Sequence, residues 1–183
     1  EVFAKGGFDV IIGNPPYVFT RGNEHFQNFN EYIWSKYKHN HGKVNLYSVF
    51  MELSTDKLLK PNGLLGFITP ETFIRTSTYG QIRKYLINEL MIKSISVYGI
   101  GVFDNVTAET ITLIVRKSFD LKNTVDFYKH QSIQIFEEYS ENQDGFNETP
   151  ENRFLYGSSN LDRNIFKKMR KNNPLLGDFI DVR

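Results

Sequence analysis

Cysteine is absent from this sequence of 183 residues. Without a thiol, the chain can form neither a disulfide framework nor a thiolate metal site. The four histidines do not show the spacing of metal ligands, so we expect no metal site. They are His25, His39, His41 and His130.

Long apolar runs are also absent, since no stretch approaches the roughly 20 apolar residues that a helix needs to cross a bilayer. The leading residues show no basic stretch followed by an apolar one, so we expect no secretory signal and a cytoplasmic protein. With 40% hydrophobic residues, the chain can form one ordinary core, and we expect one soluble domain.

Strong charge of either sign is missing as well, because the formal net charge is only +1. A nearly balanced chain does not hold nucleic acid by overall charge, so any contact with DNA must be local. Aromatic residues are abundant instead, with 16 Phe and 10 Tyr. Flat rings fill a core or stack on bases, and we expect most of these rings in the core.

A short β-branched run at residues 8–13 precedes Asn-Pro-Pro, which is the pattern of a buried parallel strand that ends abruptly at a turn. The region 18–43 is polar and aromatic, and helix-like spacing around Trp34 predicts one short helix in a loop. Apolar periodicity predicts the next elements: a helix over 45–59 closed by Lys60-Pro61-Asn62-Gly63, a strand over 64–69, a helix over 79–90, and strands over 92–98 and 110–115.

This order of elements predicts an α/β fold with an open, mostly parallel sheet and an antiparallel edge strand. Ligands of such sheets collect outside the carboxyl ends of the strands, which places residues 14–17, 70–73 and 99–103 along one rim. Beyond residue 118 the pattern weakens. It indicates a strand over 125–128, a long loop over 140–160 and a basic helix over 161–171.

The tetrapeptide Asn14-Pro15-Pro16-Tyr17, directly after the first strand, suits the holding of an exocyclic amine. Methylation of such an amine requires two acceptors for its N–H groups, so that the nitrogen lone pair points at the methyl donor. The Asn14 side-chain oxygen and the Pro15 carbonyl supply two acceptors, and the prolines stiffen the loop. Tyr17 adds a ring on which an extruded base can stack. A Pro-Pro turn that only caps a strand is the alternative, but the apolar strand before the motif favours the functional interpretation.

These four residues resemble motif IV of the S-adenosylmethionine-dependent amino-methyltransferases, which is Asn or Asp, then Pro-Pro, then Tyr, Phe or Trp. Later segments are similar to motifs of the adenine-N6 branch, in particular of the large fused restriction-modification and modification-only enzymes. The similar segments are residues 42–50, residues 58–70 and Gly101-Val102-Phe103, so the resemblance covers about residues 8–117.

The resemblance implies a partial Rossmann-like methyltransferase sheet that contains the later strands of a seven-stranded fold. It also implies base flipping and direct attack of the adenine amine on the methyl group of S-adenosylmethionine. Asn14 and Pro15 would accept from that amine, Pro16 would belong to the same catalytic loop, and Tyr17 would stack on the adenine.

Two further aromatic residues are candidates by the same resemblance. Phe103 stands where the family often has a second ring against the adenine, although a core phenylalanine at this junction is the other interpretation. Phe50 is a candidate contact for the adenosine of the cofactor, although its helical spacing with Leu46 and Leu53 favours packing in the core.

The glycine loop that holds the cofactor in this family is not found in the sequence. Gly99-Ile100-Gly101 follows a predicted strand, but another strand comes next instead of a helix whose N-terminus would receive a charged ligand. We therefore expect residues 1–117 to be the target-base half of a catalytic domain, 118–172 a variable loop and basic helix, and 173–183 the start of a target-recognition region. The cofactor-binding part and the target-recognition domain would then be missing, so we expect this chain alone to be inactive.

Basic residues cluster in two places where contact with the phosphates of double-stranded DNA is a reasonable hypothesis. A solvated surface is the other and commoner interpretation of such clusters. The residues are Lys36, Lys38 and Lys43 after the motif, and Arg163, Lys167, Lys168, Arg170 and Lys171 on the late helix.

Two other kinds of function stay open. A methyltransferase for a protein glutamine amide or an RNA base needs the same amine-holding residues. A catalytically silent DNA-binding or scaffold module would keep the fold without the reaction, although an intact Asn14 and Tyr17 argue against decay.

Overall fold

The computed structural model describes residues 4, 6–22, 26, 29–98, 109–131, 134–155, 165 and 168. These residues form one sheet whose strands are β1 (Phe8–Gly13), β2 (Leu59–Pro70), β3 (Met91–Tyr98), β4 (Thr110–Arg116), β5 (Thr124–Gln131) and β6 (Gln134–Asn142). The helices are α1 (Phe29–Lys36), α2 (Leu46–Leu53), α3 (Thr72–Arg75) and α4 (Gly80–Glu89). A π-helical turn (Ser54–Leu58) continues α2, and 3-10 turns cover Ser77–Tyr79, Gln143–Glu148 and Pro150–Asn152.

The strands lie in the order β1-β2-β4-β3-β5-β6. β1 pairs with β2 in parallel and β3 pairs with β5 in parallel, whereas β4 is antiparallel to both β2 and β3. Four strands therefore share one direction, and β6 is an antiparallel edge strand, which confirms the predicted α/β fold. β4 is a second antiparallel strand inside the sheet, because the connection from β3 is shorter than the crossover of a dozen or more residues that a parallel return requires.

The core lies between the sheet and the helices α2, α3 and α4. Leu65 and Phe67 of β2 and Leu113 of β4 are buried there, together with Tyr47 of α2 and Leu86 of α4. No helix among the described residues is long and apolar enough to cross a membrane.

The predicted helix over 45–59 is confirmed as α2 with its π-helical continuation. It begins where the Asn45 side chain accepts a hydrogen bond from the Tyr47 N–H at 3.4 Å, as an N-cap does. The following Lys60-Pro61-Asn62-Gly63 is not the helix stop that we expected but a bulge inside β2. Phe8 pairs with Leu59 whereas Val10 pairs with Leu64, and Asn62 has a φ of 66°.

The long loop expected over 140–160 is wrong in its first half, because β6 reaches Asn142 and 3-10 turns follow. Gln143 explains this order. Its buried carboxamide nitrogen donates to the carbonyls of Ile87 and Leu90, both at 2.7 Å, and its oxygen accepts from the Ile92 N–H at 2.8 Å and from Asn123 at 2.7 Å. One side chain therefore fixes the end of α4 and the start of β3.

Arg83 of α4 holds the next segment against the same helices. Its fully buried guanidinium donates to the carbonyls of Phe73 at 2.6 Å and Thr76 at 2.8 Å, and to those of Glu151 at 2.8 Å and Asn152 at 3.0 Å. Burial lowers the pKa of Arg83 to about 10, because enclosing the charged guanidinium costs free energy. The hydrogen bonds to four carbonyls offset this cost.

Several sequence-based expectations lie outside the described residues. They are the Gly99-Ile100-Gly101 segment, Phe103, residues 173–183 and the basic helix apart from Ile165 and Lys168, both of which are helical. The division at residue 117 stays a prediction, and the sheet continues beyond that position with β5 and β6.

Candidate active site at the carboxyl end of β1

The tetrapeptide Asn14-Pro15-Pro16-Tyr17 leaves the sheet directly after β1, whose last residue Gly13 pairs with Phe67 of β2. Pro15 is buried, whereas Asn14 and Pro16 are exposed. Proline restricts the backbone dihedral φ, so the buried Pro15 and its neighbour restrict the path of the loop. The tetrapeptide therefore stands on the rim where the parallel strands β1 and β2 both end.

The Asn14 carboxamide and the Pro15 carbonyl are two potential acceptors just beyond the end of β1. Among the residues that the structure describes, none forms a hydrogen bond with the Asn14 side chain or with the Pro15 carbonyl. Within the described ranges, the exposed carboxamide and the carbonyl one residue later are therefore two acceptors without a partner.

Tyr17 is held at both ends of its side chain. Its hydroxyl donates to the carbonyl of Ile68 at 3.0 Å, and its ring meets the Tyr47 ring edge to face at 6.0 Å between centroids. Burial raises the pKa of the half-buried Tyr17 phenol, so the hydroxyl stays protonated and remains a donor. The ring therefore has a defined place on the rim.

Aromatic side chains from α2, α3 and the following turn form the support beneath Tyr17. The Tyr47 ring lies 5.3 Å from that of Tyr79 and 6.1 Å from that of Phe73, and the last two lie 5.7 Å apart. Burial raises the pKa of the fully enclosed Tyr47 phenol. Because the Asn45 cap fixes the start of α2, the cap also fixes Tyr47 and hence the support for Tyr17.

The residues just after the tetrapeptide are tied to the start of α2. The Leu46 N–H donates to the Val18 carbonyl at 2.9 Å, and the Thr20 N–H donates to the Val44 carbonyl at 3.0 Å. Sequence reasoning missed this short antiparallel contact, which no local pattern announces. It anchors the segment from Val18 to Thr20 to the residues at the start of α2.

Glu52 is a second residue that sequence reasoning missed. Its carboxylate is buried and accepts from the N–H groups of Lys38 at 2.7 Å and His39 at 3.1 Å, and from the Asn40 side chain at 2.7 Å. These hydrogen bonds fix the end of the 18–43 region onto α2. The signal was a carboxylate on the otherwise buried face of a helix, which is costly unless it is paired.

The two candidate aromatic residues have different outcomes. Phe50 is 42% exposed on α2, so the favoured expectation of core packing is wrong, and Tyr47, Val49 and Met51 are the buried apolar residues of this helix. An exposed ring remains available for a ligand, and contact with a cofactor stays a prediction. Phe103 lies outside the described residues.

Two carboxyl groups meet beyond the end of β2. The hydrogen bond with Glu71, followed by charge repulsion from it, raises the pKa of Glu109, while Arg75 pairs with Glu71 at 2.6 Å. The rim therefore carries negative as well as positive charge. Within the described ranges, no group of three or more His, Asp or Glu side chains is placed to hold a metal ion.

Comparison with known proteins gives a consistent family. The model of the Eco57I restriction-modification methylase family matches residues 1–103. The chain is 31% identical over 178 residues to the type II restriction enzyme and methyltransferase RM.Eco57I of Escherichia coli, covering 92% of this chain and 16% of that protein. It is 39% identical over 84 residues to the modification methylase CviBIII of Paramecium bursaria Chlorella virus NC1A, covering 45% of this chain and 20% of that protein.

A solved structure supports the fold. A putative class I S-adenosylmethionine-dependent methyltransferase from Listeria monocytogenes superposes with a TM-score of 0.55 at 22% identity, covering 69% of this chain and 38% of that one. This likeness confirms the predicted methyltransferase-like sheet. The chain spans a fifth or less of the length of the two curated relatives.

Proposed function

This chain belongs to the Eco57I restriction-modification methylase family, and from that premise we propose that it is the target-base half of a DNA adenine-N6 methyltransferase. The reaction transfers a methyl group from S-adenosylmethionine to N6 of an adenine that is extruded from double-stranded DNA. Asn14, Pro15, Pro16 and Tyr17 form the catalytic loop.

The chemistry at the loop follows from its two acceptors. The Asn14 side-chain oxygen and the Pro15 carbonyl accept the two N–H groups of the adenine amine, which turns the nitrogen lone pair towards the methyl donor. Methyl transfer would convert S-adenosylmethionine into S-adenosylhomocysteine, and the amine nitrogen would lose one proton to solvent. Tyr17 holds the adenine ring by stacking, which keeps the amine at the acceptors.

S-adenosylmethionine, when bound, supplies the methyl group. The exposed Phe50 ring fits an adenosine, since an aromatic face outside the core can stack on a purine. We propose that a cofactor-binding part in the same protein supplies the glycine loop, and that Phe103 is a second ring against the target adenine.

One observation carries the proposal: Asn14 is exposed and unpaired among the described residues, directly beside a tyrosine whose ring is anchored. A structural role would instead commit the carboxamide to the backbone of the protein. Pro-Pro turns that only cap a strand have no need for two unused acceptors.

Replacement of Asn14 by Ala in the full-length protein tests the function. We expect turnover to fall roughly tenfold to a thousandfold, because one acceptor used in the transition state is lost. The measurement is N6-methyladenine formed in DNA, quantified by mass spectrometry, with the melting temperature recorded beside it. Asn88→Ala, at an exposed asparagine of α4, is the matched control, and an Asn14→Ala rate equal to that of the control contradicts the proposal.

The same assay decides between substrates. A glutamine amide or an RNA base also has an amine that these acceptors fit, so unmethylated DNA, RNA and protein are offered in parallel to the full-length protein. We expect methyl transfer to DNA alone. Titration of the 183-residue chain with S-adenosylmethionine tests the expected lack of the cofactor loop: we expect weak binding, and micromolar binding by this chain would contradict that expectation.

The partners and the division of the chain are part of the same proposal. Residues 1–117 form the target-base half, 118–172 a variable segment with a basic helix, and 173–183 the start of the target-recognition region. Double-stranded DNA is the partner, and the recognition sequence is read by that further region of the same protein.

A further inference from the structure

The helix α1 exposes aromatic side chains that helices of this kind usually bury. Phe29, Tyr32 and Trp34 are all exposed, and Ile33 is the buried residue of this helix. We call these three rings, with the exposed Lys36, Lys38 and Lys43 of the same part of the chain, the α1 strip. Contiguous exposed patches of large apolar side chains are rare on soluble proteins, and they often mark interaction sites.

The α1 strip is physically connected to the candidate active site. The buried Thr20 hydroxyl forms a short hydrogen bond with the Asn30 side chain of α1 and lies 3.3 Å from the Val44 carbonyl. Only two residues separate Thr20 from Tyr17 along the chain. The helix therefore has a fixed place relative to the catalytic loop.

The rings of the α1 strip are arranged as flat neighbours. The Phe29 and Tyr32 rings lie 5.6 Å apart with 23° between their planes, and the Phe26 ring lies 5.6 Å from that of Phe29 at an angle of 46°. Positions i and i+3 lie on one helix face, so the two stacked rings point the same way. An exposed stack of this kind offers aromatic faces to another flat group.

The part of the chain that contains α1 has a positive net charge. Residues 18–43 contain four lysines or arginines and two glutamates, so this short region carries more net positive charge than the whole chain. The Lys43 ammonium also lies 4.4 Å from the centre of the Phe19 ring, which places a cation over an aromatic face. Flat rings interleaved with cations are the surface that proteins use to bind unpaired bases and their phosphates.

We propose that the α1 strip binds the DNA strand that carries the target adenine. Extrusion of a base leaves its neighbours without a stacking partner, and the Phe29 and Tyr32 rings stack on those bases. Lys36, Lys38 and Lys43 contact the phosphates of the same strand. This inference rests on the proposed function, because it presumes a base extruded beside Tyr17.

The first test replaces both rings in the full-length protein, as Phe29→Leu with Tyr32→Leu. Leucine keeps the apolar bulk but removes the flat face, so folding is preserved while stacking is lost. We expect DNA affinity to fall about tenfold with no change in its dependence on salt concentration, since stacking releases no counterions. Phe119→Leu with Leu121→Ala is the matched control, because Phe119 is 52% exposed, much like Tyr32 at 51%, but follows β4 at the opposite rim.

The second test replaces the cations, as Lys36→Gln, Lys38→Gln and Lys43→Gln together. The slope of the logarithm of affinity against the logarithm of salt concentration is expected to become shallower by about two units, from roughly 0.7–0.9 for each lost phosphate contact. Lys57→Gln, Lys84→Gln and Lys122→Gln, at exposed lysines outside this region, form the control set.

The outcomes separate this inference from the proposed function. Ring and lysine variants that bind DNA like the wild type, while Asn14→Ala has lost turnover, overturn the role of the α1 strip and leave the function standing. Ring variants that lose affinity for RNA but not for DNA overturn the assigned partner. Wild-type protein that neither binds nor methylates DNA overturns both.

Discussion

Two side-chain carboxamides at opposite rims of the sheet have opposite surroundings. Gln143, beside the start of β3, is buried and uses its oxygen and nitrogen in four hydrogen bonds. Asn14, at the end of β1, is exposed and forms none with the described residues. The same chemical group therefore serves the fold at one rim and has no hydrogen-bond partner among the described residues at the other.

Neighbouring residues repeat this difference. At the Gln143 rim, Asn123 donates to the Ile92 carbonyl at 2.8 Å, and the Lys117 ammonium donates to the carbonyls of Asp56 at 2.8 Å and Leu59 at 2.9 Å. At the Asn14 rim, hydrogen bonds hold the Tyr17 ring and leave the polar atoms of Asn14 and Pro15 unused. The comparison predicts that stability and activity respond to substitutions at different rims.

The largest effect on folding is expected at Gln143. Gln143→Ala leaves two buried carbonyls and an N–H group without their hydrogen-bond partner. We expect this loss to lower the free energy of unfolding by about 3 kcal/mol. Urea unfolding followed by circular dichroism measures it, with the exposed Gln81→Ala as control. Asn14→Ala is expected to leave the same quantity unchanged, and equal losses at both rims would break the comparison.

An effect of intermediate size is expected in alkali. Burial raises the pKa of Tyr85 to about 12, while its hydrogen bond to Thr55 at 3.1 Å acts in the opposite direction. Above pH 10 the tyrosine loses its proton in the unfolded state, whereas in the folded state it keeps the proton until about pH 12. The stability that the raised pKa contributes is therefore fully present below pH 10 and is lost as the pH rises towards 12. Tyr85→Phe removes this contribution, worth about 2 kcal/mol, so the variant should lose less stability between pH 10 and 12 than the wild type.

Tyr47 and Tyr79 act in the same direction, because burial raises the pKa of both. The free energy of unfolding of the wild type is therefore expected to fall with rising pH more steeply than Tyr85 alone would cause. Urea unfolding at a series of pH values gives the two curves, and parallel curves for wild type and Tyr85→Phe would contradict the assignment.

The smallest effect is expected at the rim of the candidate site itself. Tyr17→Phe removes one hydrogen bond to the Ile68 carbonyl and should cost about 1 kcal/mol of unfolding free energy. The ring remains, so we expect retention of the extruded base to persist, whereas Tyr17→Ala should weaken it. A fluorescent base analogue at the target position reports that retention, and equal signals from both variants would contradict stacking on Tyr17.

Most elements and the place of the tetrapeptide follow from local patterns. The β-branched run of β1, the apolar period of α2 and its Asn45 cap all act within a few residues, so the sequence was sufficient to predict them. The strand before Asn14 put the motif at a carboxyl rim in the same way. Local patterns alone therefore locate these four residues at the end of a strand.

The parts of the fold that the sequence does not predict depend on contacts between distant parts of the chain. Gln143 binds groups that precede it by more than 50 residues, and Arg83 reaches Glu151 across a similar span. Nothing in the neighbouring sequence distinguishes Gln143 from an ordinary loop glutamine. The assignment of residues 140–160 to a loop failed for that reason, as did the core assignment of Phe50, whose period alone does not tell which helix face is covered.

The outer side of β1 is an edge of the sheet among the described residues. Ile12 is 82% exposed and Val10 is 50% exposed, and within the described ranges no strand pairs with that side of β1. An open apolar edge is a template for another strand, whether a proper neighbour or a misdirected copy. Because Asn14 follows β1 directly, a strand that pairs with this edge would also restrain the start of the proposed catalytic loop.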